Sequence, residues 1–268
     1  MSLAETMTDL KPETTLDDIR REIDTIDDAI LDLLVRRFAA TGKVRAAKSS
    51  DGSIATSPLR PAREASLLRR LAQKGEGKLS PDLLGRLWRV ILSASTQSQA
   101  PITLHLDRQL AADLEARLLI HEHFCGMAVL SHGGLAEAFS AAQDERGDLA
   151  VVATTSGWAN DFTALTPSSL QVIGILPVTG HAGCPELLVF GHAEPTPSGQ
   201  DETLVVSPLE SGAGQDASAG WATHSGQWHV TALTGFLPDD HPALRRFLED
   251  HPGSRVAGRY PRSIEVGI

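Results

Sequence analysis

Apolar residues in the first part of the chain recur at steps of three and four. This spacing is typical of a helix with a coiled-coil-like seam, and Asp17 and Asp18 lie in its first turn, where the helix dipole favours carboxylates. Good helix formers continue past Gly42, so the pattern predicts one helix over about residues 16–49. The seam positions are Leu16, Ile19, Ile23, Ile26, Ile30 and Leu33.

Such a helix is longer than a compact domain of one hundred residues needs. At about 1.5 Å per residue it extends over about 50 Å, so we expect a second chain to cover its seam. After a loop at residues 51–58, a run of leucines predicts a second helix near residues 63–74. Ser80 and Pro81 are a good N-cap and first-turn pair for a third helix that ends near Gln99.

The apolar stripes of the first and third helices turn polar toward their C-terminal ends. Continuing the first seam reaches Arg37 and then Lys48, and the third helix ends its stripe in Ser95 and Gln99. A buried unpaired cation costs several kcal/mol, so these positions indicate a cavity that binds an anion. The alternative is a solvated face on which Arg37 and Lys48 extend to water or pair with the chain's own carboxylates.

The spacing of the cations limits which of them can share one ligand. Arg37 and Lys48 are eleven residues apart, about 16 Å along one helix face, so their long side chains can close on a small molecule. Arg20 lies about 25 Å before Arg37, too far to contact the same metabolite within one chain. An antiparallel partner helix could supply Arg20.

Beyond Pro101 the pattern changes to short β-rich runs separated by Gly, Pro and Ser, with helical stretches between them. This pattern predicts an α/β or α+β region, in which residues 195–199 form a linker. The predicted strands lie at residues 127–130, 149–154, 170–178, 186–190, 202–207 and 228–236, and the predicted helices at 116–124, 134–144 and 241–250.

Charge and cysteine content exclude several classes of function. The net charge is −10, which does not suggest a nucleic-acid binder, and residues 1–100 carry +2 whereas the rest carries −12. Cys125 and Cys184 have no metal-ligand spacing, so we expect no metal site. The first residues lack a secretion signal and no apolar run could cross a membrane, so the sequence predicts a cytoplasmic protein.

Three segments of the N-terminal part resemble the all-helical chorismate mutases over residues 13–100. They are LDDIRREIDTIDDAILDLLVRRFAATGKVRAAK, RPAREASLLRRLA and LSPDLLGRLWRVILSASTQSQ. The resemblance implies an intertwined homodimer of three-helix chains and a substrate with two carboxylates. This chain differs from the short bacterial forms of the family in two ways. Its loop before the second helix is about three residues longer, and it has Arg60 where those forms often have Asp.

The same resemblance implies a role for each polar residue. Arg37 and the second protomer's Arg20 would bind the two carboxylates of chorismate, and Lys48 and Gln99 would contact its ether oxygen. Glu64 would hold the ring hydroxyl, Ser95 would lie near a carboxylate and Arg63 would support the site. We therefore expect Lys48, Gln99, Arg37 and Glu64 to be catalytic.

The implied reaction needs no cofactor. Chorismate becomes prephenate in one [3,3] rearrangement, in which a C–O bond breaks as a C–C bond forms. Arginine forks hold the compact conformer of the substrate, and Lys48 stabilises negative charge on the ether oxygen. This chemistry belongs to the biosynthesis of phenylalanine and tyrosine.

The C-terminal region resembles prephenate dehydratases and the ACT domain that follows them, over residues 102–263. HFCGMAVLSHGGLAEAFSAAQDERGDLAVVAT is similar to the first dehydratase lobe, and RVAGRYPRS is similar to the end of an ACT domain. The dehydratase Thr-Arg-Phe motif falls at Pro185-Glu186-Leu187, and only about ten residues stand where a second lobe is expected. We therefore expect no dehydratase activity.

The sequence thus predicts a multidomain chain: an all-α chorismate mutase domain at 13–100, a truncated dehydratase-like lobe at 101–194 and an ACT-like region at 200–268. Its expected partners are chorismate, prephenate and a second copy of the chain, without nucleic acid or membrane. Two alternatives stay open. One is an isochorismate–pyruvate lyase with the same fold, and the other is a non-catalytic sensor of aromatic metabolites that dimerises through its helices.

Overall fold

A computed structural model describes residues 15–50, 58–145, 147–165, 169–180, 183–211, 213 and 219–265, without the side chains of residues 44–50. The chain divides into two compact units, residues 1–51 and 52–268. The loop predicted at residues 51–58 lies outside the described residues except for Pro58. In the part described, no helix is long and apolar enough to cross a membrane.

The first unit contains one long helix, α1 (Leu16–Ser50), which confirms the helix predicted from the 3/4 spacing. Thr15 stabilises its first turn, because its N–H donates to Asp18 Oδ2 at 3.0 Å and its hydroxyl donates to the same oxygen. The six seam residues from Leu16 to Leu33 are 42–73% exposed. Within the described residues the seam of α1 is therefore uncovered.

The second unit begins with two further predicted helices, α2 (Pro61–Gly75) and α3 (Pro81–Gln97), which pack against each other. Each has proline at its first position, where the missing N–H costs no hydrogen bond. Ser80 caps α3 as predicted, because its Oγ accepts a hydrogen bond from the N–H of Leu83 at 3.2 Å.

The remainder is a mixed α/β region, which confirms the predicted change of fold after residue 100. Its helices are α4 (Arg108–Ala112), α5 (Leu114–His123), α6 (Leu135–Asp144), α7 (Trp158–Ala164) and α8 (Pro242–Asp250). Its strands are β1 (Thr103–Asp107), β2 (Ala128–His132), β3 (Leu149–Ala153), β4 (Gln171–Leu176), β5 (Thr179–Gly180), β6 (Leu187–Gly191), β7 (Asp201–Pro208), β8 (Ala219–Ser225), β9 (Trp228–Thr234), β10 (Arg255–Pro261) and β11 (Ile264–Glu265).

Nine of these strands form one sheet in the order β2-β1-β3-β6-β4-β10-β7-β9-β8. The β2-β1-β3 and β4-β10 pairs are parallel and the other neighbours are antiparallel. Strands from the ranges 101–194 and 200–268 therefore pair directly, through β4 and β10. The three domain ranges predicted from sequence stay a prediction.

Alternation along the central strands divides the apolar core between the two faces of the sheet. Ala150 and Val152 of β3 join one cluster of buried residues, and Leu149 and Val151 join the other. α5 covers the second cluster through Ile120. This second face is the one on which the α2/α3 hairpin docks.

A group of aromatic side chains anchors the first face of the sheet. Phe190 on β6 is fully buried and lies against Phe139, Trp158 and Phe162, with ring centroids 4.9–5.5 Å apart. Edge-on and tilted packing of this kind favours aromatic pairs beyond the area that they bury. The cluster attaches α6 and α7 to the sheet.

Replacing Phe190 tests this packing. Phe190→Ala is expected to lower the free energy of unfolding by about 3–5 kcal/mol, because it removes apolar contacts and leaves a cavity. Urea denaturation followed by tryptophan fluorescence measures the change. The control Leu209→Ala alters an exposed leucine and should stay within about 0.5 kcal/mol of the wild type. Equal effects of the two substitutions would contradict the packing described.

Candidate functional site

α2 docks on the sheet through a face of small and apolar residues. Ala62, Ala65 and Leu68 are buried at steps of three. Glu64 lies beside this face and is partly buried, whereas Arg63 on the opposite side is exposed. The fold therefore directs the carboxylate of Glu64 inward and leaves the cation of Arg63 at the surface.

Glu64 forms a buried ion pair with Arg89 of α3. Arg89 Nη1 donates to Glu64 Oε2 at 3.0 Å, and the two side chains are only 10% and 14% exposed. Burial lowers the pKa of Arg89, and the adjacent Glu64 carboxylate opposes this change. Losing one member would leave an uncompensated buried charge, which is strongly destabilising.

His123, the last residue of α5, is the third member of this cluster. Its Nε2 lies 3.3 Å from Arg89 Nη1. Burial and the Arg89 guanidinium hold the pKa of His123 well below its usual value, so the ring is neutral near pH 7. Arginine has no acceptor, so Nε2 accepts the hydrogen bond and the ring proton lies on Nδ1.

Ser95 and Gln99 turn toward the backbone of their own segment. Ser95 is buried and its Oγ donates to the carbonyl of Ile91 at 2.6 Å. Gln99 is partly buried, and its Nε2 donates to the carbonyl of Ser95 at 3.1 Å. Ser95 thus lies in the last turn of α3, and Gln99 lies two residues beyond the end of this helix.

The other three predicted residues lie on α1. Arg20 is exposed and its Nη1 lies 3.2 Å from Asp17 Oδ1. Arg37 is partly buried, and its carbonyl accepts a hydrogen bond from Thr41 at 3.1 Å. Lys48 is helical, but its side chain lies outside the described atoms. Because α1 is a compact unit of its own, convergence of these residues with those of α2 and α3 stays a prediction.

Arg69 fastens α2 to the C-terminal strands of the sheet. Its Nη1 donates to Ser198 Oγ at 2.9 Å, and its Nη2 donates to the carbonyls of Gln200 and Arg262 at 2.9 and 3.0 Å. Burial lowers the pKa of Arg69, while the charge of Asp201 raises it. Since Arg69 lies five residues after Glu64, these bonds fix the helix that carries the Glu64 carboxylate.

Two small cavities lie beside the ion pair. One, of about 40 Å³, is lined by Glu64, Arg89 and His123 together with apolar side chains of the sheet. The other, of about 200 Å³, is lined by Arg89 and His123 and by Arg86, which contacts Glu122 at 2.9 Å. Among the described residues, no group of three or more His, Cys, Asp and Glu is placed to hold a metal ion.

Arg89, His123 and Arg69 are the site residues that sequence reasoning missed. Arg89 falls on the buried α3 face that includes Leu92 and Thr96, so a cation within a buried stripe was a detectable signal. His123 gave no such signal, because its contact with Arg89 is between residues 34 positions apart. Arg69 resembles any charged residue of an amphipathic helix until its backbone partners are known.

The N-terminal part matches a known family. Residues 19–100 match the family model described as chorismate mutase type II. The matched segment includes α2 and α3, nearly all of α1 and all seven residues named above as substrate contacts. This part of the chain is therefore a helical chorismate mutase region.

Several solved structures show distant similarity, and three of them each have a TM-score of 0.38. The protein titled GqqA, a novel type of quorum quenching acylases, is 20% identical and covers 60% of this chain and 95% of its own. Prephenate dehydratase from Streptococcus mutans is 13% identical, and the match covers 62% of this chain and 100% of that chain. Prephenate dehydratase from Arthrobacter aurescens in complex with L-Phe is 13% identical, and the match covers 60% of this chain and 90% of that chain. No curated protein matches the sequence.

The neutral state of His123 predicts a pH dependence of stability. Its pKa is lower in the folded chain than in the unfolded chain, so the unfolded chain binds the extra proton. The free energy of unfolding should therefore fall as the pH drops below about 6.5, by up to about 1.4 kcal/mol per pH unit from this group. Urea denaturation between about pH 7.5 and 5.5 measures the slope.

The variant His123→Gln should flatten that slope, because glutamine keeps an acceptor for Arg89 without titrating. The matched control is His121→Gln, which changes an exposed histidine of the same helix and should leave the slope as in the wild type. A wild-type slope in His123→Gln would show that the buried ring is not the titrating group.

Proposed function

Because residues 19–100 form a chorismate mutase region, we propose that the chain converts chorismate to prephenate for the biosynthesis of phenylalanine and tyrosine. The observation that carries the proposal is the family match, which includes each residue with a proposed contact to substrate. The structure supports it with three helices in the predicted order and with Glu64 Oε2 paired with Arg89 Nη1 at 3.0 Å.

In the proposed reaction the protein supplies position and charge. Arg37 and the second protomer's Arg20 clamp the two carboxylates, which brings the reacting carbons together. Lys48, with Gln99, stabilises the charge that develops on the ether oxygen. Glu64 accepts the hydrogen bond of the ring hydroxyl, and no group gains or loses a proton. The supporting residues are Ser95 and Arg63.

We propose that the active form is a homodimer in which α1 of each chain covers the other. The seam of α1 is 42–73% exposed, and α3 exposes a second apolar stripe, Leu83, Leu87 and Val90, at 44–52%. Exposed apolar faces of this size mark protein contacts rather than solvated surface. An antiparallel pair of α1 helices would also deliver Arg20 to the site of the second protomer.

We further propose that the α/β region does not dehydrate prephenate. Pro185, Glu186 and Leu187 replace the Thr-Arg-Phe motif, and Glu186 makes backbone bonds to Leu176 and Thr154 within the sheet. The segment where the motif is expected is thus part of the strand network. Phenylpyruvate formed from prephenate by the purified chain would contradict this proposal.

Lys48→Ala tests the proposed catalytic role of Lys48. It should lower kcat about 10²–10³-fold with a much smaller change in KM, because the lost charge acts on the transition state. Steady-state kinetics of chorismate disappearance measures both constants. Lys43→Ala, an exposed lysine on the same helix, is the control and should retain wild-type kcat. Unchanged kcat in Lys48→Ala, or turnover of isochorismate alone, would contradict the proposed reaction.

A complementation experiment tests whether Arg20 of one protomer acts in the site of the other. Arg20→Ala and Lys48→Ala should each be nearly inactive alone. After unfolding and refolding together, half of the dimers are mixed, and each mixed dimer has one intact site. The mixture should therefore recover about a quarter of wild-type activity. No recovery, with mixed dimers present by native mass spectrometry, would show that Arg20 does not act across the dimer.

A further inference from the structure

We propose that Arg89 and His123 are positioning residues for Glu64, so that the α/β region forms part of the mutase site. This inference rests on the proposed function. Its basis is a cluster of one side chain from each of α2, α3 and α5, with Arg89 in the centre. The Glu64 and Arg89 side chains are only 14% and 10% exposed, so solvent screens their contact little.

The hydrogen atoms of Arg89 account for both contacts. Nη1 carries two hydrogens, one directed to Glu64 Oε2 at 3.0 Å and the other to His123 Nε2 at 3.3 Å. His123 therefore fixes the rotation of the guanidinium, and the guanidinium fixes the carboxylate. A carboxylate has about four acceptor sites, so Glu64 can bind Arg89 and a substrate hydroxyl together.

The chemistry of the cluster favours an ionised Glu64. The guanidinium stays charged, and the neutral imidazole adds an acceptor without adding a second cation. Near this point Arg86 pairs with Glu122 and Asp82, at 2.9 and 3.3 Å. Arg262, which lines the same cavity as Glu64, lies 3.7 Å from Glu202. The hydrogen bond from Arg89 keeps this strong acceptor aimed in one direction.

The cluster also crosses the predicted domain boundary. Glu64 and Arg89 lie within the segment that matches the mutase family, residues 19–100, whereas His123 lies beyond it. Arg69 adds a second attachment of α2 to the sheet, five residues after Glu64. The α/β region thus orients a side chain that we propose to contact the substrate.

The kinetic test uses the full chain and chorismate. Arg89→Met should raise KM about 10–100-fold with a smaller change in kcat, because a misplaced Glu64 loses a charged hydrogen bond to the substrate in ground and transition states alike. Arg89→Lys keeps a cation and should restore KM to within about fivefold of the wild type. Arg86→Met, an exposed arginine of the same helix, is the control and should change KM less than twofold.

Two comparisons separate positioning from a general structural role. In a Glu64→Gln background, Arg89→Met should have little further effect on KM, because both changes remove one contact. With a chorismate analogue that lacks the ring hydroxyl, wild type and Arg89→Met should bind with similar Kd. Additive effects in the double variant, or equal losses with chorismate and the analogue, would overturn the proposal.

A spectroscopic measurement keeps the proposal falsifiable if Arg89→Met does not fold. The ring ¹⁵N shifts of His123 should show a proton on Nδ1 and should change in Glu64→Gln, and His123→Leu should raise KM whereas His123→Gln should not. If the wild type is active on chorismate and His123→Leu has the same KM as the wild type, the positioning role is overturned but the proposed function is not. A wild type inactive on chorismate would instead overturn the proposed function on which this role rests.

Discussion

The long helix α1 has 35 residues and an apolar seam, whose six side chains are 42–73% exposed among the described residues. The hydrophobic effect makes exposure of six large aliphatic side chains costly, and a single helix in water is marginally stable. A second protomer, as proposed above, would cover the seam and stabilise the helix. The proposed pairing would bring Arg20 of the second protomer to the substrate that Arg37 contacts, so dimerisation and the proposed active site would have one cause.

The second feature of the molecule is that the α2/α3 hairpin belongs physically to the α/β region. Both helices lie in the compact unit of residues 52–268. Buried charges make the attachment specific, because Arg69 and Arg89 each require fixed partners from the sheet side. Apolar burial alone would hold the hairpin with less directional control. α2 and α3 therefore pack against a fold that the family match does not include.

Elements with strong periodicity were predictable from sequence. The first helix was predicted at 16–49 and is observed at 16–50, and all six predicted strands and all three predicted helices of the C-terminal half have counterparts. β1 was missed because Thr103, His105 and Asp107 interrupt the continuous apolar run that is typical of a buried strand. His105 on β1 is satisfied there by Asp148 and His132, at 3.0 and 2.8 Å, and such long-range partners leave no local signal.

The limits were similar at the candidate site. Glu64, Ser95 and Gln99 were predicted from the resemblance, and the structure places them on α2, on α3 and two residues beyond α3. β8 and β10 were missed because their apolar pattern is interrupted, by Gly, Thr, His and Ser in β8 and by Gly and Arg in β10. Their side chains Trp221 and Tyr260 both donate to the buried Glu202, whose pKa burial raises. Contacts of this kind depend on the tertiary fold, so periodicity cannot reveal them.

The most direct test of the central claim is the fate of chorismate with the purified, wild-type full chain. Loss of chorismate absorbance, with proton NMR identifying the product, measures whether the rearrangement occurs. The account predicts enzyme-dependent conversion to prephenate without added metal or cofactor. Chorismate that persists at the uncatalysed rate, with a folded protein in the cuvette, would contradict it.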